Sequence, residues 1–455
     1  MSEQIKENKM GTMPVGKLLV TMSLPMIISM LIQALYNIVD SMYVSMIGES
    51  ALTAVSLVFP MQNLIISIAS GTCVGINALL SRALGEKEFG KAESVAQHAL
   101  FLGVIVSVIT SCVMLLITKP FAAVQTSDPD IYSGTVSYMR ICCGICIGIF
   151  MQITMERLLT STGKTMLTMV SQATGAIINI ILDPVLIFGY GPFPEMGIAG
   201  AAAATVFAQC FSAVLGIFLN VRYNREISLN MKGFRPEGKL ISEIYRIGIP
   251  SIIMMCIGSV MTFGMNMILI RYLASSTAAA VFGVYFKLNS FIFMPIFGLN
   301  NGMVPIIAYN YGAKHRKRIL HTYRLAVVFA VVIMTIGMLL FWIIPNVLLG
   351  IFNASDQMLE IGRPALRIIA LTFPVAGYAI VTGSIMQAMG RSMPSMIISL
   401  TRQLIVLLPS AFILAAAGGL HAVWWSFDIA EVASVLLTIF FYGRVHKELI
   451  APLPE

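Results

Sequence analysis

Twelve long apolar segments dominate this sequence and limit what the chain can fold into. A helix needs about 20 apolar residues to cross the hydrocarbon core of a bilayer. Several segments exceed that length, which indicates tilted or broken helices. The segments lie at residues 17–45, 52–80, 93–118, 131–158, 166–188, 198–221, 245–270, 277–309, 319–345, 359–388, 394–415 and 421–443. The sequence therefore predicts an all-α integral membrane protein with twelve transmembrane helices.

The charged residues support a membrane location and indicate its orientation. Only 11% of the 455 residues are charged, whereas soluble domains have about 25%. Lys and Arg collect before the first span and in the loops that an inside N-terminus would place in the cytoplasm, and positive charge favours that side. We therefore expect both termini in the cytoplasm. The basic run 312–318 is then a cytoplasmic loop, and the net charge of +8 requires no nucleic-acid partner.

The chain contains an internal repeat. "GTCVGINALLSRALGEKEFGKA" begins at Gly71 and "GLNNGMVPIIAYNYGAKHRKRI" begins at Gly298, and "STGKTMLTM" matches "AMGRSMPSM" at the same offset. "SLPMIIS" and "GIPSIIM" match at an offset smaller by two residues. We predict an N-lobe at 1–221, a cytoplasmic inter-lobe loop at 222–244 and a C-lobe at 245–455. Because six spans is an even number, a pseudo-two-fold axis would run along the membrane normal, as in many transporters.

Two other classes of membrane protein would need features that the sequence does not offer. A channel would need a carbonyl filter or a ring of charges. An embedded enzyme would need a cluster such as H-E-x-x-H or G-x-S-x-G. The five histidines are scattered, so we expect no enzymatic activity and no cofactor.

Ionisable residues inside membrane spans are costly and commonly functional. Gln33, Asn37 and Asp40 follow each other at spacings of four and three, so they form a polar stripe on the first helix. Tyr36 lies on the neighbouring row, and Pro25 can kink the same helix. We predict that Pro25, Gln33, Tyr36 and Asn37 form a hinge and a cavity wall.

A second polar stripe lies in the fifth and sixth spans. Asn179 and Asp183 are four residues apart, and Pro184 frees one backbone carbonyl. Thr205 is a polar exception in "GIAGAAAATVFAQ", whose small residues predict close helix packing. Together with Asp40 these residues offer the oxygen ligands that a proton or a hard cation such as Na⁺ prefers.

The second half lacks both carboxylates, since repeat alignment places Met265 opposite Asp40 and Ser410 opposite Asp183. A site in one half alone indicates a specialised coupling site. The second half has its own polar set instead, which consists of Lys287, Arg402, Asp428 and Glu431. Two interpretations remain open for this set: a structural ion-pair network, or a direct part in substrate binding or ion coupling.

At these residues the sequence resembles the multidrug and toxic-compound extrusion (MATE) family, part of the multidrug/oligosaccharide-lipid/polysaccharide flippase superfamily. The resemblance is carried by "SLPMIISMLIQALYNIVDSMYV", "ALTAVSLVFPMQNLI", "ERLLTSTGKT", "NIILDPVLIFG", "GIAGAAAATV" and "FGLNNGMVPIIAYNYGA". It covers nearly the whole chain. It implies twelve helices in two lobes around a V-shaped cavity, in a protein of the bacterial inner membrane.

The resemblance also implies a function. MATE proteins export amphipathic, often cationic compounds in exchange for inward H⁺ or Na⁺, and we expect small drugs and membrane lipid as partners of a monomer. Members with an N-lobe site use residues that correspond here to Asp40, Asn179, Asp183 and Thr205. Other members use an acidic residue in helix 7, which residues 245–270 lack. The alternative function is a lipid-linked oligosaccharide flippase, which would need more basic residues in its cavity than this chain carries.

Overall fold

The computed structural model describes residues 8–352 and 354–454, and the first seven residues of the predicted cytoplasmic tail lie outside that range. Every regular element in the described residues is helical. The helices are α1 Lys9–Thr12, α2 Val15–Ile47, α3 Glu49–Gly85, α4 Phe89–Gln125, α5 Pro129–Cys142, α6 Ile147–Ser161, α7 Thr165–Phe188, α8 Ile198–Tyr223, α9 Gly238–Met267, α10 Ser276–Gly312, α11 Arg316–Ile343, α12 Pro345–Gly350, α13 Asp356–Ala370, α14 Phe373–Ala388, α15 Ser392–Leu400, α16 Leu407–Val423 and α17 Ser426–Val445. Short π-helical turns follow α9, α15 and α17, at Ile268–Tyr272, Thr401–Val406 and His446–Ile450. The predicted all-α fold class is confirmed.

The helices account for the twelve predicted spans. Ten described helical stretches are long and apolar enough to cross a membrane, and two bent pairs raise that number to as many as twelve. The pair α5 and α6 is bent by 44°, and the pair α13 and α14 by 47°. The first of these breaks falls at "CGIC", where a Cβ on Gly144 would collide with the carbonyl oxygen of Arg140. The expectation of broken helices is confirmed at these two spans.

The backbone repeats the internal symmetry of the sequence. Lys87 and Lys314 both have a positive φ, of 61° and 59°, and they occupy equivalent positions of the two halves. Gly163 and Gly390, which the sequence aligns, have φ of 84° and 80°. These are conformations that most L-residues avoid. The two halves therefore share turn geometry as well as sequence.

Contacts group the chain into two compact units that are best described separately. Among the described residues, the first unit comprises 8–12 and 28–252, and the second comprises 13–27, 253–352 and 354–454. The chain therefore changes unit inside α2 and inside α9, two residues after Pro25 and Pro250 in each case. The predicted lobes divide the chain by its repeat, whereas these units divide it by packing.

Glycines account for this packing. In the first unit a Cβ on Gly71 would collide with the backbone of Ile252, and in the second unit a Cβ on Gly298 would collide with the backbone of Ile27. Gly71 and Gly298 are equivalent positions in the repeated sequence. Glycine permits such close approach because it has no Cβ. The aligned glycines thus hold the first parts of α9 and α2 against α3 and α10, respectively.

Candidate functional site

The two first-half carboxylates meet inside the first unit. Asp40 lies on α2 and Asp183 on α7, and their carboxyl groups are within hydrogen-bonding distance of each other. Asp183 is fully buried, and Asp40 Oδ1 is a buried oxygen that accepts no hydrogen bond from the described residues. Two adjacent carboxylates in a poorly solvated site cannot both remain ionised at low cost. The structure therefore places two mutually repelling acidic groups next to each other.

Asn179 links this carboxylate pair to α8. Its amide group lies 3.4 Å from Asp183 Oδ1 and 3.4 Å from Thr205 Oγ1. With the amide turned over, its nitrogen donates to Asp183 Oδ2 at 3.2 Å and its oxygen accepts from the Thr205 backbone N–H at 3.3 Å. Both orientations place Asn179 between Asp183 and Thr205. The structure thus brings the predicted set Asp40, Asn179, Asp183 and Thr205 together.

Close packing between α7 and α8 fixes these positions. A Cβ on Gly200 would collide with the carbonyl group of Leu186. Further along the pair, Ser171 Oγ donates to the Ser212 carbonyl at 3.2 Å and Ser212 Oγ donates to the Ser171 carbonyl at 3.3 Å. The small residues of α8 therefore let the two backbones approach, as the sequence predicted. This contact holds Thr205 opposite Asn179.

The remaining residues of the helix-1 stripe have a different environment. Tyr36 is half-buried, whereas Gln33 and Asn37 are exposed on the first unit. The described residues offer no hydrogen-bond partner to the side-chain amides of Gln33 and Asn37. Of the stripe formed by Gln33, Asn37 and Asp40, only Asp40 reaches the carboxylate cluster. The other members of the stripe present polar groups at the surface of the unit.

Pro25 lies inside α2, as predicted, so its ring removes one hydrogen bond from the continuous helix. Pro184 has the same effect in α7, where it leaves the carbonyl of Ile180 without its usual donor. Both prolines are on the two helices that carry the aspartates. The hydrogen bonding of α2 is therefore interrupted in its first half, and that of α7 is interrupted next to Asp183.

Two residues near the site were missed by the sequence analysis. Gln62 Nε2 donates to Tyr138 Oη at 3.3 Å and lies 2.9 Å from Cys142 Sγ. Tyr138 is buried and lies within electrostatic range of Asp40. The available signal was Gln62 itself, a polar residue two positions after Pro60 in an apolar segment. Sequence periodicity could not show which helix it would face.

Glu156 is a further buried acid, and it lies outside the predicted coupling site. Its carboxylate accepts hydrogen bonds from Gln152 at 3.0 Å and from Gln172 at 2.7 Å. The Glu156 residue is only 5% exposed. The two amides satisfy this carboxylate, whereas the Asp40 and Asp183 pair retains an unpaired oxygen.

The structure divides the predicted second-half polar set. Arg402 Nη1 donates to Glu431 Oε2 at 3.2 Å. Lys287 does not join that pair, since its Nζ lies over the ring of Phe352 at 5.7 Å from the centroid. Asp428 Oδ2 and Glu431 Oε1 are buried and have no hydrogen-bond partner among the described residues. Arg402, Glu431 and Asp428 thus form one cluster on two elements, and Lys287 lies apart.

The first-half cluster combines carboxylate oxygens with neutral oxygens. Within residues 8–352 and 354–454, no group of three or more His, Cys, Asp or Glu side chains is arranged to hold a metal ion. Asp40 and Asp183 contribute two carboxylates, and Asn179 and Thr205 can add neutral oxygens. Oxygen ligands of this kind favour hard cations.

Comparison with known proteins gives concordant matches along the chain. The sequence profile of a family described as MatE matches residues 25–185 and 250–413. The multidrug export protein MepA of Staphylococcus aureus is 27% identical over 443 residues, which cover 97% of this chain and 96% of that protein. A solved outward-facing multidrug resistance MATE transporter of the MOP superfamily aligns at 23% identity over 98% of both chains, with a TM-score of 0.90. A MOP superfamily transporter from Pyrococcus furiosus, described as having a binding pocket of reverse polarity, aligns at 23% identity over 98% of both chains, with a TM-score of 0.91.

Proposed function

This chain belongs to the MatE family, and on that premise we propose that it is a secondary active multidrug efflux antiporter. It exports amphipathic, mostly cationic compounds and takes up H⁺ or Na⁺ in exchange. The protein lies in the bacterial inner membrane with both termini in the cytoplasm. The name of the Staphylococcus aureus relative, a multidrug export protein, supports this class of substrate.

The observation that carries the proposal is the meeting of Asp40 and Asp183 beside Asn179. A buried carboxylate pair binds a proton or a cation because neutralisation removes the repulsion between like charges. The proposed coupling site is Asp40, Asn179, Asp183 and Thr205. Its oxygen atoms can bind either ion, and a transport measurement distinguishes H⁺ from Na⁺.

Exchange requires that ion binding and drug binding favour different conformations. Asp40 and Pro25 lie on the same helix, α2. We propose that neutralising the acids lets α2 repack and bend at Pro25, which alters the surface formed by Gln33, Tyr36 and Asn37. Drug and ion then compete through conformation, and this coupling is reciprocal at equilibrium.

The alternative function, a lipid-linked oligosaccharide flippase, needs basic residues to hold an anionic pyrophosphate. The spans offer mainly three basic residues, Arg140, Lys287 and Arg402. Of these, Arg402 is already paired with Glu431, and Lys287 contacts an aromatic ring. The carboxylates therefore outweigh the uncommitted cations, which favours cationic or neutral cargo.

Transport into vesicles with separately imposed pH and Na⁺ gradients tests this proposal. We expect one of the two gradients to drive ethidium transport in the native protein, and Asp40→Asn to abolish it while the protein still reaches the membrane. Leu35→Gln, a change at an exposed position of the same helix, serves as a control that keeps the acid. Export by Asp40→Asn at the native rate would contradict the coupling role of Asp40.

A further inference from the structure

A groove opens at the end of the second unit where α11 begins and α17 ends. It has a volume of about 430 Å³ and is lined by Leu320, Tyr323, Arg324, Tyr442, Gly443, His446 and Lys447. None of these seven residues is acidic. Within residues 8–352 and 354–454, neither Arg324 nor Lys447 forms an ion pair. The groove therefore presents uncompensated positive charge.

Aromatic side chains shape the groove. The rings of Tyr323 and Tyr442 lie 4.8 Å apart, and Tyr323 Oη is 3.1 Å from Thr382 Oγ1 on α14. Gly443 also lines the groove, and a Cβ added there would meet no described atom within 4 Å. Tyrosine and basic residues at a helix end are typical of the interface between membrane and water. The groove is thus an open, aromatic-walled site at that interface.

The acidic residue next to the groove in sequence is already engaged elsewhere. Glu448 follows Lys447 directly, and its carboxylate accepts from Arg444 at 2.8 Å and lies 3.5 Å from Arg391. Those two arginines therefore hold Glu448, which leaves the charge of Arg324 and Lys447 for an external anion.

The equivalent positions in the first half of the chain are arranged differently. At the repeat offset, Gln97 aligns with Arg324 and Asn220 aligns with Lys447. Gln97 Nε2 donates to the carbonyl oxygen of Asn230 in the inter-lobe loop at 2.7 Å, and Asn220 is buried. The loop also packs Phe234 against Phe101, with ring centroids 5.6 Å apart. The inter-lobe loop thus covers this surface in the first half, whereas the equivalent surface of the second half is basic and open.

An apolar track leads away from the groove along α11. Val328, Val332 and Ile336 follow Arg324 at intervals of four residues, and each is more than half exposed. Residues four apart share one helix face. A ligand with an anionic head at Arg324 and a hydrocarbon chain along this face matches both features.

We propose that this groove binds the phosphodiester headgroup of an anionic phospholipid. Arg324 and Lys447 contact the phosphate, and the tyrosine pair borders the glycerol region. Basic pockets between transmembrane helices commonly hold such headgroups. The proposal concerns the second unit alone and holds or fails independently of ion coupling in the first unit.

Native mass spectrometry of the full chain, with phosphatidylglycerol or phosphatidylcholine added in detergent, measures this binding. We expect phosphatidylglycerol adducts on the native protein and about thirtyfold weaker binding by Arg324→Gln/Lys447→Gln, since each basic residue near an anionic lipid contributes about fivefold. Lys317→Gln/Arg363→Gln removes the same net charge outside the groove and should bind like the native protein.

Two further experiments complete the test. One uses a variant that fills the groove without changing its charge, and the other distinguishes a lipid headgroup from free phosphate. Gly443→Leu fills the groove without changing charge and suits a helix better than glycine, so it should also weaken lipid binding. Inorganic phosphate at the same concentration should not displace the lipid, because it lacks the hydrocarbon chain. Native-like lipid binding by Gly443→Leu and by the double variant would overturn the proposal. Displacement by phosphate at lipid concentration would overturn the assignment to a lipid.

Discussion

Asp40 and Asp183, on two different helices, place their carboxyl groups within hydrogen-bonding distance of each other inside one packing unit. Asn179 and Thr205 extend the contact to a third helix. A proton or a cation at this point would bind three helices together, and its release would leave two like charges side by side. In the proposed mechanism, ion occupancy would therefore change how α2 packs on α7.

Replacing Pro25 tests the hinge. In Pro25→Ala, residue 25 gains a backbone N–H and α2 gains a hydrogen bond, so we expect a higher melting temperature and a slower ion-driven export. Pro250→Ala is the matched control in the other half. Pro250 lies inside α9, and no acidic residue follows it in that helix. We expect it to raise the melting temperature similarly and to leave the ion dependence of export unchanged. Thermal unfolding and vesicle transport measure the two effects, and equal transport by both variants would contradict the hinge.

Gly200→Ala tests the contact that holds Thr205 opposite Asn179. The new Cβ would collide with the Leu186 carbonyl, and overpacking of this kind costs about 1–3 kcal/mol. Gly90→Ala adds the same methyl group near the start of α4, where no described atom lies within 4 Å, and should be neutral or slightly stabilising. Melting temperatures in detergent distinguish the two. A native melting temperature for Gly200→Ala would show that α7 and α8 can separate freely.

The second-half ion pair should behave as a structural unit. Removing one partner, in Arg402→Gln or Glu431→Gln, leaves a poorly solvated charge and costs about 3–5 kcal/mol. The double variant should recover part of that loss, which a double-mutant cycle measures. Additive losses would instead show that the two side chains do not interact.

Lys287→Ala is the control for that cycle. Its ammonium group contacts only the ring of Phe352 among the interactions described above, and exposed cation–π contacts contribute about 0.5–1 kcal/mol. We expect a small fall in melting temperature that Glu431→Gln does not rescue. Rescue by Glu431→Gln would indicate a direct pairing of Lys287 with that acid.

The features that follow from spacing along the chain could be predicted from the sequence. Apolar length located the spans, the glycine pattern showed the repeat, and the spacing of Asn179 and Asp183 placed them on one helix face. The polar residues of three spans suggested the grouping of Asp40 with Thr205, and the resemblance to MATE proteins implied the same set. Each of these inferences depends on periodicity or on alignment, both of which are present in a single sequence.

The remaining features depend on how helices rotate and tilt against each other. Gln62 on α3 donates a hydrogen bond to Tyr138 on α5. Glu431 pairs with Arg402 and not with Lys287. Periodicity gives the face of a helix but not the neighbour that the face meets. The passage of the chain from one packing unit to the other, after Pro25 and after Pro250, could not be predicted for the same reason. It depends on contacts of Gly71 and Gly298 with backbone that is distant in sequence.

Equilibrium binding of a fluorescent organic cation to the purified protein tests the central claim most directly. Affinity is titrated against pH at fixed Na⁺ and then against Na⁺ at fixed pH. Because ion and drug favour different conformations, lower pH or added Na⁺ should weaken drug binding, and Asp183→Asn should flatten that dependence. Affinity in the native protein that ignores both pH and Na⁺ would contradict the assignment of Asp40 and Asp183 as the coupling carboxylates.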